Sequence, residues 1–177
     1  MQTISHSHLQ DIADIPSWLG RTCVISASIG GIFLVGLALM TLVSVIGRAF
    51  FSSPLQGDIE LVQLGCAVCI ACFLPYTQFK KANIIVDFFT TKCSKRSQTI
   101  MDAVGTFLLG VCFFVLAWRL SVGGLINKEN GETSMLMAIP IWVPYFLMVP
   151  GFTLTSVVSF FQTYILISQL HHHSSNE

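Results

Sequence analysis

Long apolar runs alternate with short polar links along the whole chain. No Asp, Glu, Lys or Arg falls between Arg21 and Arg48, Glu60 and Lys80, Asp102 and Arg119, or Glu132 and Glu177. Each gap is close to the ~20 residues that cross a bilayer as helix at ~1.5 Å rise per residue. The pattern predicts helices at about 22–47, 58–79, 100–122 and 140–168. The third has the shortest charge-free run, 16 residues, and Asp102 and Arg119 at its ends are expected to snorkel to the two interfaces.

Composition strengthens this reading. Of 177 residues, 53% are hydrophobic and only 10% charged, with a formal net charge of zero, whereas soluble domains carry about 25% charged residues. The sequence is that of an all-α membrane protein with one four-helix domain at 21–169. It is flanked by a polar segment at 1–20 and a tail at 170–177. Residues 1–20 lack the basic start, apolar core and cleavage site of a signal peptide, so the first helix is expected to be retained. No internal repeat is visible, and no nucleic-acid partner is expected.

Orientation follows from the basic residues. Lys80, Lys81, Lys92, Lys95 and Arg96, five of the nine Lys and Arg, lie in the link between helices 2 and 3. The positive-inside rule places that link, and with four spans both termini, in the cytoplasm.

"GCAVCIACF" (65–73) carries Cys66, Cys69 and Cys72 at intervals of three. In a soluble protein this spacing suggests a metal cluster or a redox pair. Here the thiols lie inside helix 2, where a thiolate would be a buried charge and no His or carboxylate completes a ligand set. A thiol–quinone oxidoreductase of the DsbB type has four helices and a similar size, but needs cysteines in its periplasmic loops. The links 48–57 and 123–139 contain none. The expectation is a small-residue packing face formed by Gly65, Cys69 and Cys72. All five histidines lie in the tails, and no charge is expected at mid-membrane. An autonomous homodimeric exporter, the other alternative, would be expected to carry a membrane-embedded carboxylate. The chain reads as a membrane component that is not an enzyme and has no metal or cofactor.

The remaining polar residues gather at three rim segments. In "GRAFFSSPLQGDIELVQL", Pro54 and Gly57 predict a tight turn. Asp58 and Glu60 then open helix 2 at the positive end of its dipole, with an Arg48–Glu60 contact expected across the hairpin. In "KKANIIVDFFTTK", Ile84, Ile85, Phe88 and Phe89 share a helical face beside Asp87, predicting a short interfacial helix that lies on membrane lipids. In "ETSMLMAIPIWVPYFLMVPGF", Pro140, Pro144 and Pro150 punctuate the start of helix 4, with Trp142 and Tyr145 at belt depth. Pro150 is expected to kink that helix, and 133–139 to run along the membrane surface before the span begins.

These three segments, in this order, resemble the small membrane subunit of tripartite ATP-independent periplasmic (TRAP) transporters, the DctQ-type family. The resemblance rests on Arg48, Pro54, Gly57, Glu60 and Leu61, then Lys81, Ile84, Val86 and Asp87, then Thr133, Ile139, Pro140, Trp142, Tyr145, Pro150 and Gly151. It covers about residues 17–168. It departs at Ala82 and Asn83, where the family more often has Gly and His. The resemblance implies a bacterial or archaeal inner-membrane protein acting as scaffold for a large DctM-type membrane subunit. That subunit moves organic-acid-type solutes by sodium-coupled symport. A periplasmic DctP-type binding protein docks on the pair. Arg48, Pro54, Gly57, Asp58, Glu60, Lys81, Asn83, Asp87, Pro140, Trp142, Tyr145 and Pro150 are then structural or subunit-interface candidates.

Overall fold

The computed structural model describes residues 16–51, 57–80 and 95–174. Four helices account for nearly all of them: α1 (Ser17–Phe51), α2 (Asp58–Phe79), α3 (Lys95–Asn130) and α4 (Trp142–Ser174). All four are long and apolar enough to cross a membrane. The chain is an all-α, multi-pass membrane protein. The predicted interfacial helix at 84–89 lies outside the described residues, as do Pro54, Lys81, Asn83 and Asp87.

α2 has the predicted bounds because both its ends are signalled chemically. Gly57 sits in the left-handed region at φ 85°, and Asp58 and Glu60 occupy the first turn. At the other end the Lys80 N–H closes on the Tyr76 carbonyl at 3.0 Å. The other three helices run past their predicted C-terminal ends, while α4 begins at Trp142, two residues after its predicted start. α3 continues to Asn130, so Arg119 is followed by 11 helical residues rather than marking the end of the span. It stops where Gly131 takes φ 65°. There the Gly131 N–H donates to the Lys128 carbonyl at 3.4 Å and the Glu132 N–H to Asn127 at 3.2 Å, a Schellman turn.

The helices pack in the order α1–α2–α4–α3. α1 lies on α2, α2 on α4, and α4 on α3, while α1 meets α4 where Leu19 and Cys23 are buried with Val158. α2 and α4 are therefore interior, and α1 and α3 are flanks with broad apolar exposure. Within lipid, apolar surface alone does not choose partners, so close approach and interhelical hydrogen bonds do. Both are present. A Cβ on Gly65 would come within 2.6 Å of the Leu37 side chain, and one on Gly30 within 2.8 Å of the Cys72 Cβ. A Cβ on Gly151 would overlap the Ala71 backbone. Gly65 and Cys69 are buried in this seam, with Cys72 at its edge, as the small-residue reading expects. The Ser26 hydroxyl donates to the Cys72 carbonyl across α1–α2, and Ser156 to the Gly110 carbonyl across α3–α4, both at 3.0 Å.

Candidate functional site

One end of the bundle collects most of the sequence-predicted residues. Asp58, the first residue of α2, accepts the Ser44 hydroxyl at 2.6 Å and its own helix's Ile59 N–H at 2.8 Å. The Arg48 guanidinium approaches the same carboxylate at 3.4 Å. The expected Arg48–Glu60 contact is therefore replaced by Arg48–Asp58. The reason is helical geometry: residues two apart point ~200° away from each other, so only one of these two carboxylates can face α1.

Glu60 faces the α3–α4 link instead. Its Oε1 accepts the Met135 N–H at 3.2 Å, and its Oε2 the Leu136 and Met137 N–H groups at 3.3 Å each. Three successive amides converging on one carboxylate form a filled anion nest. The link itself is a short hairpin. The Ser134 N–H donates to the Ile139 carbonyl at 2.8 Å and the Ile141 N–H to Glu132 at 3.1 Å, with a single antiparallel bridge between Thr133 and Pro140. Ala138 takes φ 53° to close it. Gly57 packs against Met137, with no room there for a Cβ. The hairpin tip points away from the bundle: Met135 is 99% and Leu136 68% exposed.

Behind the hairpin, Lys128 lies over the Trp142 ring at 5.6 Å, and Trp142 meets Phe146 edge-on at 6.1 Å. Tyr145 covers Gly123 of α3. Pro144 occupies the first turn of α4, where a missing N–H costs nothing. Thus Arg48, Gly57, Asp58, Glu60, Pro140, Trp142 and Tyr145 share one rim that ties all four helices together. Pro150 lies two turns further into α4.

A family model described as "Tripartite ATP-independent periplasmic transporters, DctQ component" matches residues 37–168, about three quarters of the chain. The chain belongs to the DctQ family. No curated protein and no solved structure matches it. The matched region begins within α1 and contains the whole rim just described.

The interior of this DctQ component holds polar residues that the sequence reading passed over. On α4, Thr155, Ser156, Ser159, Gln162 and Thr163 are all buried. Gln162 is only 2% exposed and accepts the Gln78 side-chain N–H at 3.0 Å. Its own amide donates to the Gln78 and Phe79 carbonyls at 2.9 and 3.3 Å, closing the C-terminal end of α2. The spacing of 155, 156, 159, 162 and 163 is a one-face helical pattern, so the signal was present in "TSVVSFFQT".

Cys69 and Cys72 line an apolar cavity of about 420 Å³ between α1, α2 and α4, with Ile29, Phe33 and Leu154. Ser26 and Thr22 also line it, but their hydroxyls donate to the Cys72 and Leu19 carbonyls. Its surface therefore offers hydrocarbon contact rather than polar ligation. Among the described residues no group of three His, Cys, Asp or Glu side chains is placed to hold a metal ion.

Proposed function

We propose that this DctQ component is the scaffold subunit of a sodium-coupled TRAP transporter for organic-acid-type solutes. It holds a large DctM-type membrane subunit and forms part of the surface on which a DctP-type binding protein docks. The observation that carries the reading is the family match over 37–168. The distribution of chemistry supports it. Arg48, Asp58 and Glu60 sit at the rim, where the two carboxylates organise backbone and neighbouring helices rather than a transport path. The flanks α1 and α3 keep broad apolar surface for a membrane partner. The hairpin tip at Met135 and Leu136, held by Glu60, offers an ordered apolar knob to a protein approaching from the aqueous side.

In this reading both termini and residues 80–97 face the cytoplasm and the hairpin faces the periplasm, in accord with the five basic residues of that link. Specificity for the solute belongs to the binding protein and the large subunit. The test is co-purification followed by reconstitution. The two membrane proteins should isolate together, and sodium-driven uptake should require both plus the binding protein. Uptake by the large subunit with the binding protein alone, at the full rate, would overturn the scaffold role.

A further inference from the structure

Resting on the transporter reading above, we infer that Arg119 is an intramembrane anchor on the outer face of α3, pairing with a carboxylate that the large membrane subunit presents inside the bilayer. The depth of Arg119 starts the argument. Lys128 over Trp142, at the first residue of α4, marks one membrane rim. Arg119 stands nine residues inside that mark, about 13.5 Å along the helix. Half of the ~30 Å hydrocarbon core is about 15 Å. The helix runs on for 11 residues past Arg119, so this is no helix-end arginine. Helical side chains also lean toward the N-terminus, which here is away from the nearer rim.

The face on which Arg119 sits is the one that α4 does not use. α3 meets α4 along Ala103, Gly110, Ala117 and Gly124, of which the two alanines are buried and the two glycines abut α4 side chains. At ~100° per residue, these four lie within about 60° of one another. Val104, Leu108, Val115, Arg119 and Ile126 are all exposed. They too fall within about 60°, on the side of the helix opposite the first set. A cation therefore stands in the middle of a continuous apolar stripe that none of the four described helices covers.

An arginine so placed needs an anion, because a guanidinium in hydrocarbon without a partner is costly. Among the described residues Arg119 makes no ion pair and no hydrogen bond. α4, which packs on α3, contains no Asp or Glu. The acids of α2, Asp58 and Glu60, are engaged at the rim. A second copy of the chain would bring the same arginine and, among its described residues, no carboxylate at that level. A lipid phosphate sits at the rim rather than at this depth. Charge and depth together leave an acidic side chain on a different membrane protein, set among apolar residues that match the stripe.

The chain and the large membrane subunit are co-expressed, and the amount of large subunit retained on the affinity-tagged chain is measured for wild type, Arg119→Leu and Arg119→Lys. Arg119→Leu should lower retention at least tenfold, since it strands the partner's carboxylate, while Arg119→Lys should stay within about threefold of wild type, consistent with 1.4 kcal/mol per tenfold. The Leu variant alone should keep wild-type helical content, since Arg119 has no described contact to lose. Independently of any variant at 119, a photo-crosslinking side chain at Val115 should label the large subunit. Wild-type retention by Arg119→Leu, or a Val115 probe that labels only lipid, would overturn the inference while leaving the transporter reading intact. Failure of wild type to retain the large subunit would sink both.

Discussion

Replacing Gln162 by Leu should be among the more damaging single changes in the interior of this protein. The side chain is a hub for three hydrogen bonds, one from the Gln78 amide at 3.0 Å and two to the last carbonyls of α2 at 2.9 and 3.3 Å. Interhelical side-chain bonds in membranes average ~0.6 kcal/mol and reach ~2 kcal/mol. Each buried polar group stripped of its partner costs roughly 1–3 kcal/mol. Leu restores much of the apolar volume, so the net loss should come to about 2–4 kcal/mol, dominated by the stranded α2 carbonyls. Gln78→Leu should cost less, ~1–2 kcal/mol, because the Gln162 amide keeps its carbonyl acceptors. The pair should couple: the double variant should be ~0.6–2 kcal/mol less destabilised than the sum, because the bond between the two side chains is lost only once. The assay is reversible unfolding in mixed micelles followed by circular dichroism, run on all four members of the cycle. A loss below about 0.5 kcal/mol for Gln162→Leu, or zero coupling, would show that the contact carries no net stability and refute this account.

Three further outcomes follow from the packing and the rim. Glu60→Ala removes the acceptor shared by the Met135, Leu136 and Met137 amides. Hydrogen exchange at those three positions should accelerate relative to wild type, and unchanged protection would mean the hairpin holds itself. Gly151→Val forces a branched side chain into the Ala71 backbone and should abolish stable α2–α4 packing, whereas Gly105→Ala, with nothing within 4 Å, should be neutral or slightly stabilising; equal thermal stabilities for the two would contradict the close approach. Cys66, Cys69 and Cys72 replaced together by Ala should leave uptake by the assembled transporter largely intact, at ~1 kcal/mol or less per site, and complete loss with normal expression would restore a chemical role for the thiols.

Helix number and the bounds of α2 were legible because charge and turn chemistry coincide there: Gly57, Asp58 and Glu60 open the helix and Lys80 closes it. The outer bounds were not legible. A charged residue ends an apolar run without ending a helix, and α3 passes through Arg119 to stop only where Gly131 supplies the left-handed turn. The rim was legible as a set of residues but not as a set of pairs. Arg48 could be matched to either of two carboxylates by proximity in sequence, and the choice of Asp58 depends on Ser44, one turn before Arg48, having already turned that face toward α2. The role of Glu60 was hidden for a different reason, since its partners are backbone amides 75 to 77 residues away that carry no side-chain signal.

The buried polar stripe of α4 carries the most physical information about how this bundle is specified. In lipid, any two apolar helix faces are nearly equivalent partners, so a sequence chooses among them with groups that cannot tolerate the wrong neighbour. α4 carries Ser156 for the Gly110 carbonyl of α3 and Gln162 for Gln78 and the end of α2, two bonds aimed at two different helices. Its Thr155, Ser159 and Thr163 hydroxyls are satisfied within the helix, each on the carbonyl one turn earlier, so they occupy little volume and leave nothing unpaired. Gly151 then lets the α2 backbone approach. α4 thereby fixes its two neighbours and sits between them. α1 is held to α2 in the same manner by Ser26, Ser44 and Gly30. The outer face of α3 has none of these devices except one, the arginine at 119, and a single strong charge on an otherwise apolar stripe specifies a partner outside the chain by the same logic that the glutamine specifies one inside it.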